Sequence, residues 1–111
     1  RDRMVTVPGI EGQMGILDNH APIVTFLRPG VINVENKGNK YFFTSGGVVD
    51  FKNNVLSILC QDIYDIEELT DDKINQLKNN AKNKINDENC TDHEVFISNT
   101  LIEELNLLKS R

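Results

Sequence analysis

The chain has 111 residues and carries 12 Lys and Arg against 17 Asp and Glu, a formal net charge of −5. That balance argues against a sequence-independent nucleic-acid binder, which needs a positive surplus to displace counterions from phosphates. With 39% hydrophobic and 26% charged residues the chain is not disordered overall, and no apolar run approaches the roughly 20 residues of a membrane-spanning helix.

All seven glycines and all three prolines fall within the first 47 residues, and short β-prone runs alternate there with turn chemistry. Met4–Val7 reads as a strand stopped by Pro8-Gly9. Ile23–Leu27 follows Pro22, and Pro29-Gly30 turns it into Val31–Glu35. Asn36-Lys-Gly-Asn39 joins that strand to Lys40–Ser45, with Gly38 free to take a positive φ. Gly46-Gly47 precedes Val48–Phe51, and Lys52-Asn-Asn54 makes a second hairpin with Val55–Cys60. Close-set strands without intervening helices indicate an antiparallel sandwich or barrel, assigned to residues 1–66.

Residues 67–111 contain no Gly or Pro and carry 6 basic against 10 acidic side chains. They read as an antiparallel α-helical hairpin. Thr70 before Asp71-Asp72 is an N-cap with acidic residues where the helix dipole favours them. Ile74, Leu77, Ala81 and Ile85 form a narrow apolar stripe, and the Asn79–Lys84 stretch is a solvated face. Thr91-Asp-His-Glu94 has capping-box spacing, and Phe96, Ile97, Leu101, Ile102, Leu105 and Leu108 give the second helix a broader apolar face. Such stripes need more than one partner helix, so the hairpin is expected to lean on the sandwich or on another chain.

The residue types offer little chemistry. Asp18, His20 and Ser45 include those of a hydrolytic triad, but Ser45-Gly46-Gly47 lacks the Gly-x-Ser-x-Gly elbow that exposes a nucleophile. A small hydrolase using Ser45 and His20 is the weakest of the readings; turn and loop roles fit both residues better. Gly9, Gly12 and Gly15 follow a strand but open no helix, so they read as structural turns rather than a phosphate cradle. The carboxylates Asp65, Glu67, Glu68, Asp71 and Asp72 lack calcium-loop spacing and read as a solvated linker. Cys60, Cys90, His20 and His93 are not spaced as zinc ligands, and a disulfide between the two cysteines is left open. No catalytic, metal or cofactor site is assigned.

One stretch is specific. Val5–Pro8, Glu11–Leu17, His20–Pro22 and Arg28–Gly30 read V-x-V-P, E-G-x-x-G-I-L, H-A-P and (K/R)-P-G in order, and Phe43-Thr-Ser-Gly-Gly-Val-Val49 follows. This series resembles the small central-stalk subunit of F-type ATP synthases, called delta in mitochondria and epsilon in bacteria and chloroplasts. The motifs cover about the first 60 residues, and the sandwich-plus-hairpin layout extends the likeness through the chain.

The resemblance implies a non-catalytic rotor part without a cofactor, coupling rotation of the membrane c-subunit ring to the catalytic head through the gamma subunit. It implies that the loop Glu11, Gly12, Gln13, Met14 faces the c-ring and that His20, Ala21 and Pro22 belong to the lower rim. A small mitochondrial epsilon-type stalk subunit is a further implied partner. Leu27-Arg-Pro-Gly30 favours the mitochondrial branch, hence the matrix side of the inner membrane, with a bacterial or plastid coupling membrane as the alternative. The family also places a strand pair before V-x-V-P, so the chain is expected to be a fragment with a sheet edge left open. An ATP-sensing regulator of the same complex is the alternative function. Against it, Ile66-Glu-Glu-Leu-Thr-Asp-Asp72 lacks the Arg and Ala of the nucleotide motif I/L-D-x-x-R-A, and with the Arg goes the cation that pairs the triphosphate.

Overall fold

The computed structural model describes residues 3–109. Among them eight strands come first: β1 (Met4–Gly9), β2 (Gly12–Leu17), β3 (Ile23–Leu27), β4 (Gly30–Glu35), β5 (Asn39–Thr44), β6 (Gly47–Lys52), β7 (Val55–Cys60) and β8 (Ile63–Asp65). A 3-10 turn (Ile66–Glu68) leads to α1 (Asp71–Ile85) and α2 (Asp92–Lys109). The chain divides into two compact units, Arg1–Glu67 and Glu68–Arg111.

Every strand pair is antiparallel. The order is β7-β6-β3-β1-β4-β5-β8, with β2 also paired to β1. The sheet folds over on itself. Val7, Ile16, Leu27, Ile32, Val49 and Phe51 form one buried cluster, although β4 and β6 are not neighbours in the sheet. Val5, Met14, Ile23, Val34, Phe42, Leu56 and Ile58 pack against that cluster. Each fully buried side chain of this size contributes about 1.5–3 kcal/mol relative to exposure, which makes the sandwich a β-sandwich with its own core.

Two strands depart from the sequence expectation. β1 does not stop at Pro8-Gly9: Pro8 lies opposite Gln13, and its carbonyl accepts the Arg28 N–H at 3.0 Å. A proline lacks only the donor, so it is tolerated where the acceptor is used. β2 then begins after a two-residue turn, Ile10-Glu11, with Gly9 opposite Gly12. Gly9 and Gly15 are therefore strand residues, and only Gly12 of the three has a positive φ, 132°. Glycine density conceals the strand because it suppresses the usual β-propensity signal. The β6–β7 turn is tighter than its sequence suggests, with Asn53 and Asn54 both at positive φ, 52° and 59°, as the right-handed twist of the flanking strands demands.

Both helices start as their caps dictate. Thr70 Oγ1 accepts the Lys73 N–H at 3.1 Å. Thr91 Oγ1 accepts the Glu94 N–H at 3.1 Å while the Glu94 carboxylate accepts the Thr91 N–H at 2.9 Å. Ile74, Ala81 and Leu105 are buried, Lys78 Nζ donates to Asn106 Oδ1 at 2.9 Å, and Lys84 pairs with Glu94 at 3.7 Å. Phe96 departs from the expected apolar face of α2 and stands 58% exposed. It precedes Leu105 by about two and a half turns, which puts it on the opposite side of the helix.

The α2 cap makes a first test. Thr91→Ala is expected to lower stability by about 1 kcal/mol, read from the midpoint of urea unfolding. Glu94 is held below its ordinary value of 4.5, first by the Thr91 N–H and hydroxyl and then by Lys84. A depressed carboxyl contributes stability above its ordinary value, and that contribution fades as pH falls through the lower folded value. The gap between wild type and Glu94→Gln, which removes the titrating carboxylate, should therefore narrow below pH 4.5. An equal gap at pH 7 and pH 3 would contradict the reciprocal cap.

Candidate functional site

In an antiparallel sandwich each strand presents one face to the core and the other to water, so polar residues are expected outside. β3, β6 and β7 break that rule. Their inward set includes Leu27, Val49 and Phe51, all buried. On the outer side the register aligns Phe26, Val48 and Leu59 in a single row across the three strands, with Val24, Asp50 and Ser57 in the next. Phe26 is 64% exposed, Leu59 71% and Val24 71%. Directly opposed residues stand about 4.5–5.5 Å apart at Cβ, so the row is a contiguous apolar ladder and not a scatter of single exposures.

The backbone beneath the ladder is fixed by Gly47, which lies between Leu27 and Cys60 in the paired strands. A Cβ there would lie 2.1 Å from the Leu59 carbonyl oxygen. Beside it, the fully buried Thr44 hydroxyl accepts the Gly46 N–H at 3.1 Å and reaches the Asp62 carbonyl at 3.1 Å. Ser45 Oγ approaches Asp62 Oδ2 at 3.4 Å. These contacts hold the start of β6 and the end of β7 in one geometry, which suits a preformed surface.

A second exposed feature is the β1–β2 hairpin tip. Ile10, 59% exposed, and Glu11 occupy the turn. The Glu11–Met14 segment expected as a loop is in fact mostly strand: Gly12, Gln13 and Met14 belong to β2. Gln13 is exposed, whereas Met14 lies opposite Val7 and packs against the core. The apolar side chain at the tip is thus Ile10.

The loop after β2 is tied down from several directions. The His20 N–H donates to the Leu17 carbonyl at 3.1 Å, its Nδ1 lies 2.6 Å from the Ala21 carbonyl, and its ring meets Phe51 edge-on at 6.0 Å. Asp18 pairs with Arg3 at 2.6 Å and raises the Arg3 pKa. Asn19, at φ 64°, donates its N–H to Asn54 Oδ1 at 2.7 Å. Ala21 and Pro22 are exposed beside it. Asp18, His20 and Ser45 each serve local structure through these separate partners.

Cys60 and Cys90 are free thiols, and burial followed by the Glu94 charge pushes Cys90 upward. Among the described residues no group of three or more His, Cys, Asp or Glu side chains could hold a metal, and no helix is long and apolar enough to cross a membrane. The arrangement offers docking surfaces on a rigid frame.

Comparison with known proteins gives that frame its family. A family model, the ATP synthase delta/epsilon chain beta-sandwich domain, matches residues 2–66. The ATP synthase epsilon chain of Pelagibacter ubique is 37% identical over 94% of this chain and 81% of its own length. The mitochondrial ATP synthase subunit delta of Schizosaccharomyces pombe is 36% identical over 74% of this chain, but the match spans only 51% of that protein. In structure, a chain of the Euglena gracilis mitochondrial ATP synthase, solved as OSCP, F1 and c-ring in rotational state 1, superposes with a TM-score of 0.74. It is 25% identical, over 96% of this chain and 69% of the other. A rigid sandwich followed by a helical hairpin, carrying the motif series of β1 to β4, belongs to the delta/epsilon family of ATP synthase subunits. Within that family the role of this chain is that of the central-stalk subunit.

Proposed function

We propose that the Phe26–Val48–Leu59 ladder is the face that docks on the gamma subunit, and that the Ile10–Gln13 hairpin tip meets the c-subunit ring. The chain then transmits rotation as a rigid, non-catalytic piece held at two places. The observation that carries this reading is the apolar row on a sheet face that should be polar, because a water-facing Phe and Leu in one register gain free energy only when covered. Glu11, Gly12 and Gln13 stay in the ring-facing set, with Ile10 replacing Met14 as its apolar member. The loop His20, Ala21 and Pro22, expected at the lower rim, follows Leu17 at the opposite end of β2 from this tip, so it forms a separate surface, stiffened through Phe51 and Asn54. A small epsilon-type stalk subunit is a further partner of the mitochondrial complex. The Schizosaccharomyces pombe relative supports the matrix side of the mitochondrial inner membrane as the location, with a bacterial or plastid coupling membrane as the alternative.

Membranes carrying Ile10→Asp together with Gln13→Lys test the tip. Charges left unpaired in a closed contact cost roughly 2–5 kcal/mol, while an exposed turn contributes little to the sandwich core. ATP-driven proton pumping should fall, and ATP hydrolysis by the catalytic head should persist. Pumping equal to wild type, with the subunit normally assembled, would remove the tip from the ring contact and leave the ladder assignment standing.

A further inference from the structure

The boundary between the two units is marked by an unusual use of one carboxylate. β8 pairs with β5 through only three residues, with Asp65 opposite Phe42 at the end of the ladder. Asp65 Oδ1 accepts the Glu67 N–H at 3.0 Å, which closes the turn that begins the Ile66–Glu68 segment. Asp65 Oδ2 lies 3.1 Å from Lys40 Nζ on β5, and that ammonium sits 5.9 Å from the centre of the Phe42 ring. The Asp65 side chain is only 18% exposed, whereas its partner Lys40 is 60% exposed. Both oxygens are therefore engaged, one by the sheet and one by the turn that leaves it. The carboxyl is held below its ordinary range, first by the Glu67 N–H and then by Lys40, in keeping with an anion that works in both directions.

We infer that Asp65 is a latch that fixes the exit of the chain from the sandwich against β5, so that the freedom of the connecting segment 66–70 is set by this side chain and its Lys40 partner. Three ladder positions make a short edge strand, and a 3-10 turn of three residues has weak hydrogen-bond geometry of its own. A charge-assisted bond at each oxygen supplies what the ladder lacks. Loosening either bond should release the connection before it disturbs the core, whose cluster draws on β1, β2, β3, β4 and β6 and not on β8.

The full chain digested with a Glu-specific protease, with fragments followed by mass spectrometry, tests the latch. Asp65→Ala should raise the rate of cutting after Glu67 and Glu68 roughly three- to tenfold, with a matching loss of exchange protection at the Glu67 amide. Lys40→Met should give a smaller rise, because it frees one oxygen and leaves the turn bond in place. Cutting after Glu35, inside the sandwich, should stay at the wild-type rate in both variants. Unchanged cutting after Glu67 and Glu68 in Asp65→Ala would overturn the latch. So would an equal rise at Glu35 in Lys40→Met, since the pair would then support the whole sandwich and not its exit.

Discussion

Gly47→Ala is expected to destabilise the sandwich by about 2–4 kcal/mol, more than any other single-methyl change in the sheet. The added Cβ would stand 2.1 Å from the Leu59 carbonyl oxygen, 3.1 Å from its carbon and 3.2 Å from the Cys60 Cα. All of these are backbone atoms, so no rotamer change relieves the clash. β7 must move away from β6, which opens the ladder and displaces Leu59 together with the inward Leu56 and Ile58. Gly12 provides the contrast. It has φ +132° and nothing within 4 Å of its missing Cβ, so Gly12→Ala meets only backbone strain, roughly 1–2 kcal/mol. Urea midpoints should therefore rank wild type above Gly12→Ala, and Gly12→Ala above Gly47→Ala. The reverse order of the two variants would show that close strand approach is not what Gly47 provides.

The second large effect concerns binding. Phe26→Ser with Leu59→Ser should leave the unfolding midpoint close to wild type, because both side chains are mostly exposed in the free chain. Affinity for the isolated gamma subunit should fall roughly 30- to 700-fold, the range that follows from losing about 2–4 kcal/mol at a hot spot. Val55→Ser is the control: its side chain is also exposed and outward, but its register partner is Lys52 and it lies off the row. It should change affinity little. A double variant that binds as wild type, or a Val55 variant that binds as poorly as the double, would deny the ladder its role.

Local signals carried much of this fold. Thr70 and the Thr91–Glu94 box announce both helix starts, and the structure shows the hydrogen bonds that the residue types require. The hairpins around Gly38 and Asn53-Asn54 are legible for the same reason, since few residues accept positive φ. β2 was hidden because its strand character comes from pairing with β1 and not from its own glycine-rich sequence. Met14 was misplaced as a consequence: in a loop it would be a tip, but in register with Val7 it is core.

The ladder also leaves a mark in the sequence of β3. Ile23-Val-Thr-Phe-Leu27 alternates with an apolar residue at both outward positions, Val24 and Phe26, so the strand has no polar face. That pattern marks either a strand buried on both sides or a docking face. Choosing between them needs the cross-strand partners Val48 and Leu59, which only the register supplies. The Lys40–Asp65 pair was illegible for a related reason, because β5 and β8 meet through a three-residue ladder that no local pattern predicts.

The central claim, that this chain is a stalk piece docked through the outer face of β3, β6 and β7, is tested most directly by affinity capture from detergent-solubilised coupling membranes. Tagged wild-type chain and the Phe26→Ser, Leu59→Ser variant would be captured in parallel, with partners quantified by mass spectrometry. The expected result is that the wild-type chain retains the gamma subunit and c-subunits in a fixed ratio and that the variant loses gamma. Capture of the wild-type chain without gamma, or undiminished gamma with the variant, would contradict it.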